Sequence, residues 1–288
     1  MPEQTVTTTR EFETAEPVRL RVEAGSGEIR IHASDTDRTT VDIQPATAET
    51  EAAYELIDRT LVEQRGDQVV VEVPRRGVGF LRRSPALAIA VGLPAGSSID
   101  VAADSADLRT TGRLGTVRTR SGSGDVLLDD VVDANAQSGS GDVDINQASG
   151  SIRVQAGSGN VNARTVGGTC SVSTGSGDIR VDNASGTVQV STGSGNVTID
   201  DASDDVTVDS ASGDSHVGRV RRGQVKVTSA SGDVHVGVLD GTPVWLDVAS
   251  VSGSVQSALD GGDPPEDGED SVALRVNTVS GDITLTRS

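Results

Sequence analysis

Apolar and polar residues alternate along most of this chain, and Gly-Ser-Gly segments interrupt the alternation at regular intervals. In the stretch 174–181 (TGSGDIRV), Ile179 and Val181 are apolar, whereas Asp178 and Arg180 beside them are polar. A period of two residues is typical of a β-strand with one buried face. Glycine, serine, asparagine and aspartate separate the alternating runs, as turns require. The pattern therefore predicts many short strands joined by tight turns.

The second glycine of this stretch recurs with a nearly constant period. It occupies Gly124, Gly141, Gly159, Gly177, Gly195, Gly213, Gly232, Gly253 and Gly281. Most successive spacings are about 18 residues, and each period holds two alternating runs, such as 178–181 and 185–190. A fixed period of this length predicts an all-β fold of the parallel β-solenoid type, with two strands per rung.

Parallel rungs stack about 4.8 Å apart, so the rows that face the core follow from the period. One strand of each rung contributes Val126/Leu128, Val143/Ile145, Val161/Ala163, Ile179/Val181, Val197/Ile199 and Val234/Val236. The other strand contributes Ile152/Val154, Cys170/Val172, Val188/Val190, Val206/Val208 and Val225/Val227. A corner row contains Val131, Ala148, Val166, Ala184, Ala202, Val220 and Leu239. Small and β-branched residues of this kind suit a thin core.

The strand rhythm breaks between residues 47 and 64. Ala53, Leu56, Ile57 and Leu61 recur there at helical spacing, and Thr50 precedes acidic residues, as at a helix start. We therefore expect one short helix within an N-terminal β cap. Such a cap would cover the core of the first rung, which would otherwise be exposed.

These patterns predict three parts of the chain. Residues 1–17 are polar and are expected to be flexible. Residues 18–95 hold the N-terminal cap and the first rungs, and residues 96–288 hold the repeat array. The acidic, proline-rich segment 261–270 is expected to form a loop within the array, and the basic segment 74–85 an exposed loop.

The composition narrows the classes of partner. A net charge of −19 and a pI near 4.4 argue against nucleic acid and anionic lipid as partners of the whole chain. Lys226 is the only lysine, and excess acid with so little lysine is typical of proteins from a salt-rich cytoplasm. Cys170 is the only cysteine and cannot form an internal disulfide.

The chain shows no leader peptide and no apolar run of the ~20 residues that a membrane-spanning helix needs. We therefore expect a cytoplasmic protein without a transmembrane segment. Association with a membrane would then occur through a partner.

One column of acidic residues follows the marker glycines. It contains Asp125, Asp142, Asp178, Asp214 and Asp233, interspersed with Asn160 and Asn196. Each side chain is expected to cap backbone N–H groups in its own turn. The alternative is a column of calcium sites, because calcium prefers carboxylate and carbonyl ligands. The spacing differs from the calcium-binding nonapeptide, since Asp directly follows the second glycine.

His216 and His235 occupy equivalent positions one period apart, so their side chains should stack on the outer surface. Two stacked imidazoles could hold a metal ion. No fixed carboxylate or cysteine accompanies them at ligand spacing, so a simple outer ladder is the preferred interpretation.

No nucleophile elbow, zinc-protease motif or nucleotide-binding loop occurs in the chain, and no helix follows the Gly-Ser-Gly segments. The sequence therefore predicts no catalytic residue, no cofactor and no enzymatic activity.

The chain resembles the putative-adhesin family of bacterial and archaeal β-strand-repeat proteins, a family of unknown function. The resemblance rests on four features: residues 20–31 (LRVEAGSGEIRI), the helical interruption at 52–61, residues 91–94 (VGLP) and the recurrent S-G-D-[VI]-x-[VIL] rungs. It covers residues 18–288 approximately, and it implies a β-solenoid without established catalysis.

The preferred function is a non-enzymatic β-solenoid scaffold or adhesin-like protein. Flat outer rows, such as Arg153, Ser171, Gln189, Thr207 and Lys226, would bind a protein or envelope component, or the chain would self-assemble by stacking end to end. Two alternatives remain open: a calcium-stabilised module like a β-roll, and a carbohydrate-binding or carbohydrate-active solenoid.

Overall fold

The fold is known from a computed structural model that describes residues 8–47, 50–74, 85–259 and 271–288. The chain divides into two units, residues 1–144 and 145–288. Within the described residues every regular element is a β-strand except one short helix, and most strands pair in parallel. The predicted all-β parallel β-solenoid with one helix in its N-terminal cap is confirmed. Strand β10 (Val143–Ala148) spans the boundary between the units.

The first unit contains one helix and nine complete strands within its described part. The elements are β1 (Thr8–Glu13), β2 (Arg19–Ser34), β3 (Arg38–Pro45), α1 (Glu51–Asp58), β4 (Leu61–Arg65), β5 (Gln68–Glu72), β6 (Leu87–Pro94), β7 (Ser98–Thr111), β8 (Arg113–Ser121) and β9 (Val126–Ser138). Strand β2 is long because it turns a corner at residues 25–27, so its two halves pair in parallel with β5 and with β6, respectively. Both halves also pair with β7.

Antiparallel strands close the start of the solenoid. Strand β1 pairs with β3 and β3 pairs with β6, while β4 pairs with β5 on the other half of the rung. Helix α1 lies against β3, and it buries Ala53, Leu56 and Ile57. As predicted, Thr50 caps the helix, since its Oγ1 accepts a hydrogen bond from the backbone N–H of Ala53 at 3.2 Å.

Two predictions about the N-terminal part of the chain were wrong. Residues 8–13 of the segment expected to be flexible form β1, because an antiparallel partner is available in β3. Leu61, assigned to the apolar face of the helix, begins β4 and remains 39% exposed. The helix ends earlier because the chain must return as a strand to pair with β5.

The second unit consists of two stacks of parallel strands that alternate along the chain. The first stack contains β11 (Ile152–Ala156), β13 (Cys170–Ser176), β15 (Val188–Ser194), β17 (Val206–Ser212), β19 (Gly223–Ser231), β21 (Val244–Ser252) and β23 (Val272–Ser280). The second stack contains β12 (Val161–Val166), β14 (Ile179–Ala184), β16 (Val197–Ala202), β18 (Ser215–Val220), β20 (Val234–Val238), β22 (Val255–Ser257) and β24 (Ile283–Arg287). Pairing is in register: Ile179 lies beside Val197 and Val188 beside Val206.

Burial confirms the predicted inward rows of both strands, whose residues are each at most 2% exposed. The corner row is confirmed from Val131 to Val220, but the prediction that Leu239 continues this row was wrong. A register shift in the β18–β20 pair places Val238 beside Val220, and Leu239 is only half-buried. The register shifts because Val236 and Val238 are two residues apart, whereas their partners Val217 and Val220 are three residues apart.

The last two rungs do not stack in chain order. Strands β19 and β20 pair with β23 and β24, which in turn pair with β21 and β22. The rung of Gly281 therefore lies between the rung of Gly232 and the rung of Gly253. Strands β21 and β22 form the terminal rung of this unit.

Two predicted loops lie outside the described residues, namely the acidic segment 261–270 and nearly all of the basic segment 74–85. In the part of the chain that the structure describes, no helix combines the length and apolar character needed to cross a membrane.

Candidate interaction surface

The acidic column forms a ladder of hydrogen bonds between rungs. In the second unit, the backbone N–H of Asp178 donates to Oδ1 of Asn160 at 2.9 Å, and that of Asn196 donates to Oδ1 of Asp178 at 2.8 Å. The series continues through Asp214, Asp233 and Asp282 to the N–H of Ser254. In the first unit, Asp125 and Asp142 take part in the same kind of series, which begins at Asp107.

This arrangement corrects the expectation that each side chain caps its own turn. The chain turns at the marker glycine, and the next N–H is satisfied by the side chain of the preceding rung. The aspartate and asparagine side chains thus supply hydrogen-bond acceptors at a corner where the backbone hydrogen bonds between neighbouring strands are interrupted. The N–H of Ser254 lowers the pKa of Asp282 below its usual value, because the hydrogen bonds favour the carboxylate.

The marker glycines are required by the turn itself. Gly195 has φ of +135°, and a Cβ atom there would lie 2.2 Å from the carbonyl oxygen of Gly177. No side chain fits this approach between neighbouring rungs. The Gly-Ser-Gly segments are therefore turn elements of the solenoid.

The two histidines meet as predicted. The rings of His216 and His235 stack with centroids 4.7 Å apart and planes inclined by 10°. Burial and, less strongly, the charge on His216 lower the pKa of His235. Because the nitrogen lone pairs lie in two nearly parallel planes, they do not converge on one metal position in this arrangement.

No group of three or more histidine, cysteine, aspartate or glutamate side chains in the described ranges is placed to hold a metal ion. Cys170 lies in the core, and burial raises the pKa of its thiol to about 12, so the reactive thiolate is disfavoured.

The structure contains a column of buried hydroxyl groups that we did not predict from the sequence. Thr174, Thr192, Ser210, Ser229 and Thr278 are in register in the first stack, and each is at most 8% exposed. Their hydroxyl oxygens have no hydrogen-bond partner within the described structure. The period of two would have revealed them, since Thr192 follows Val188 and Val190 on the same face.

The first stack presents a flat surface to solvent, which we call the outer face. One of its rows contains Arg153, Ser171, Gln189, Thr207, Lys226, Arg275 and Asp247. The second contains Gln155, Ser173, Ser191, Asp209, Thr228, Asn277 and Ala249. These residues are exposed or half-buried, and three are basic while two are acidic. The outer face is therefore nearly neutral in a chain of net charge −19.

The second stack presents a different surface, which we call the ion-paired face. Arg180 pairs there with Asp182 at 2.8 Å and with Asp200. Near the adjoining corner, Asp201 pairs with Arg219 at 3.2 Å and with Arg221 at 3.0 Å. Charged groups that already have partners cost more to desolvate than serine, threonine and glutamine. This contrast makes the outer face the candidate interaction surface of this unit.

A protein-family model described as Toastrack DUF4097 matches residues 17–286. No curated protein matches the chain.

A comparison with solved structures finds matches of low sequence identity. A "putative adhesin" of Parabacteroides distasonis is 14% identical, with a TM-score of 0.39 and coverage of 98% of both chains. A "putative lipid binding protein" of the same species is 15% identical, with a TM-score of 0.38 and coverage of 98% of this chain and 96% of the other. A "putative adhesin" of Bacteroides fragilis is 14% identical, with a TM-score of 0.36 and coverage of 100% and 99%.

Proposed function

The chain belongs to the Toastrack DUF4097 family, and from that premise we propose that it is a non-enzymatic, adhesin-like scaffold. Its outer face binds a protein or envelope component, and the chain associates with a second copy of itself. The scaffold role is supported by two observations: the repeated motif builds the turns and the core, and long polar rows remain on the surface.

The near-neutral outer face is the observation that carries this proposal. Ser171, Gln189 and Thr207 lie side by side on neighbouring strands and are exposed or half-buried. A surface of this kind loses little hydration energy on binding and offers hydrogen-bond groups at a regular spacing of about 4.8 Å. It also lacks the dense negative charge that would repel an acidic partner.

The calcium-stabilised alternative has weaker support. In the ladder, one oxygen of Asp178 and one of Asp214 are each taken up by a backbone N–H of the next rung. The carbohydrate alternative would use the same outer face, and a glycan array tests it directly.

Site-specific photocrosslinking in cells of the native host tests the proposal. A photoreactive residue replaces Gln189 on the outer face, and the matched control replaces Thr198 on the ion-paired face. We expect Gln189 to yield a discrete crosslinked partner that Thr198 does not yield. Absence of any crosslink at Gln189, or the same products from both positions, contradicts the proposal.

A further inference from the structure

The terminal rung of the second unit is incomplete in its packing. Leu246 and Val248 of β21 are half-buried, whereas their neighbours Leu274 and Val276 in β23 are fully buried. The difference arises because β23 has a strand on each side. Among the described residues, β21 pairs only with β23, and β22 pairs only with β24.

Apolar side chains are exposed at this same end. Val251 is 82% exposed and Val255 is 47% exposed, and Val279 beside them is 56% exposed. These three valines account for most of the strongly exposed large apolar residues in the described part of the chain. The unpaired N–H and C=O groups of an edge strand are a template for pairing with another strand, and exposed apolar side chains beside them favour such contact.

The described residues of this edge carry little charge. Asp247 is the only charged residue of β21, and Arg275 of the neighbouring strand pairs with it at 3.1 Å. Strand β22 has no charged residue. In the first unit, by contrast, the edge strands carry charges, such as Glu11 in β1 and Glu63 in β4. Charged edges of this kind prevent pairing, and β21 lacks this protection.

We propose that β21 and β22 form the interface of a symmetric dimer, in which each strand pairs antiparallel with its counterpart in a second copy. A two-fold axis lets both copies satisfy their unpaired edges at once. A second copy suits this edge because the two-fold axis pairs each unpaired strand with its own counterpart, and two chains of net charge −19 repel each other least where the paired strands carry little charge. This inference rests on the self-association included in the proposed function and locates its interface.

The residues of β21 favour a register centred on Val248 over one centred on Asp247. The core-facing residues of β21 must pair with the core-facing residues of β21 in the second copy. In an antiparallel pair of identical strands, this requires that one residue pairs with its own counterpart at the two-fold axis. With Val248 on the axis, Trp245 lies opposite Val251 of the second copy, and Asp247 lies opposite Ala249 of the second copy. Centring on Asp247 instead would place two carboxylates together, which is unfavourable. The Val248 register therefore buries Val251, the most exposed valine of the described residues, against the single tryptophan of the chain.

Analytical ultracentrifugation of the full chain over a range of concentrations tests the dimer. We expect a dimer at high concentration, together with a blue shift in the emission of Trp245 as it becomes buried. Val251→Arg should weaken association at least about tenfold, while the matched control Ser191→Arg on the outer face leaves it unchanged. A monomer at every concentration, or a dimer that withstands Val251→Arg, overturns the inference.

A crosslink identifies the interface independently of that substitution. Val248→Cys places two thiols across the axis at a separation that a disulfide can bridge, and native Cys170 is buried and does not compete. We expect an oxidised dimer from Val248→Cys and none from Ser191→Cys. Absence of the Val248→Cys dimer overturns the inference. Gln189 lies four strands away from β21 in the first stack, so photocrosslinking there does not report on the dimer interface, and failure of either proposal can be recognised separately.

Discussion

The side chain of Asp178 is hydrogen-bonded to the backbone of Asn196, one rung further along the solenoid, at 2.8 Å. The carbonyl oxygen of Asn196 accepts in turn from the N–H of Ile179 at 2.9 Å. Both backbone groups of Asn196 are thus satisfied by two consecutive residues of the preceding rung. The acidic column therefore acts as a structural support that couples each corner to the next.

Removal of one ladder acceptor should destabilise the second unit. Asn196→Ala leaves the N–H of Asp214 without its 3.0 Å partner, and we expect a loss of about 1 kcal/mol in the free energy of unfolding. Urea denaturation followed by circular dichroism measures this loss.

Asn196→Asp is the matched control, because it keeps the acceptor oxygen and adds a charge between Asp178 and Asp214. We expect a smaller loss that decreases with added salt. Equal destabilisation by the alanine and aspartate variants would contradict the assigned role of the ladder.

Calcium should not stabilise the protein. The ladder uses one oxygen of Asp178 and one of Asp214 for backbone N–H groups, so these side chains are not arranged as free ligands. We expect the same melting temperature in calcium and in chelator, measured by differential scanning fluorimetry. A clear rise in calcium would show selective binding to the folded state and would support the β-roll alternative.

Substitution of a buried hydroxyl should stabilise the core. The hydroxyl of Thr192 is buried without a hydrogen-bond partner in the described structure, whereas valine has a similar shape and no polar group. We expect Thr192→Val to raise the free energy of unfolding by about 1 kcal/mol, as measured by denaturant titration.

Ser138→Ala provides the opposite case, since the buried Ser138 hydroxyl donates to the carbonyl of Gly141 at 2.8 Å. This variant should be destabilised. A stability loss in Thr192→Val would indicate that its hydroxyl contributes a favourable interaction after all.

The stacked histidines should make stability sensitive to mild acid. Burial and the neighbouring His216 lower the pKa of His235 below its ordinary 6.5, so the unfolded state binds its proton first. Protonation of His235 therefore leaves the free energy of unfolding unchanged well above pH 6.5, and it lowers that free energy as the pH falls below 6.5. His235→Thr should reduce this decrease, as measured by melting temperatures between pH 7.5 and about 5. An unchanged pH profile in the variant would exclude His235 as the cause.

Much of the fold could be predicted because its physical signals are local. Val188 and Val190 alternate with polar residues, so their burial follows from the period of two alone. The 18-residue spacing then sets the register between rungs, which places Val188 beside Val206. Thr50 was identifiable as a helix cap because capping depends on adjacent residues.

The remaining features depend on contacts that the local pattern does not specify. Strand β1 forms because β3 offers a partner, and β23 lies between β19 and β21 because of strand order rather than sequence order. The direction of the bond from Asn196 to Asp178 depends on the close stacking of two rungs. The exposed terminal edge at Val251 follows from that strand order and could not be read from the repeat.

Calorimetric titration of the chain with the partner captured through Gln189 tests the role of the outer face most directly. Gln189→Arg places a bulky cation in the middle of this face, and Thr198→Arg makes the same change on the ion-paired face. We expect Gln189→Arg to weaken binding at least about tenfold, with the affinity of Thr198→Arg equal to that of the unaltered chain. Unchanged affinity in Gln189→Arg, or a loss confined to Thr198→Arg, would contradict binding through the outer face.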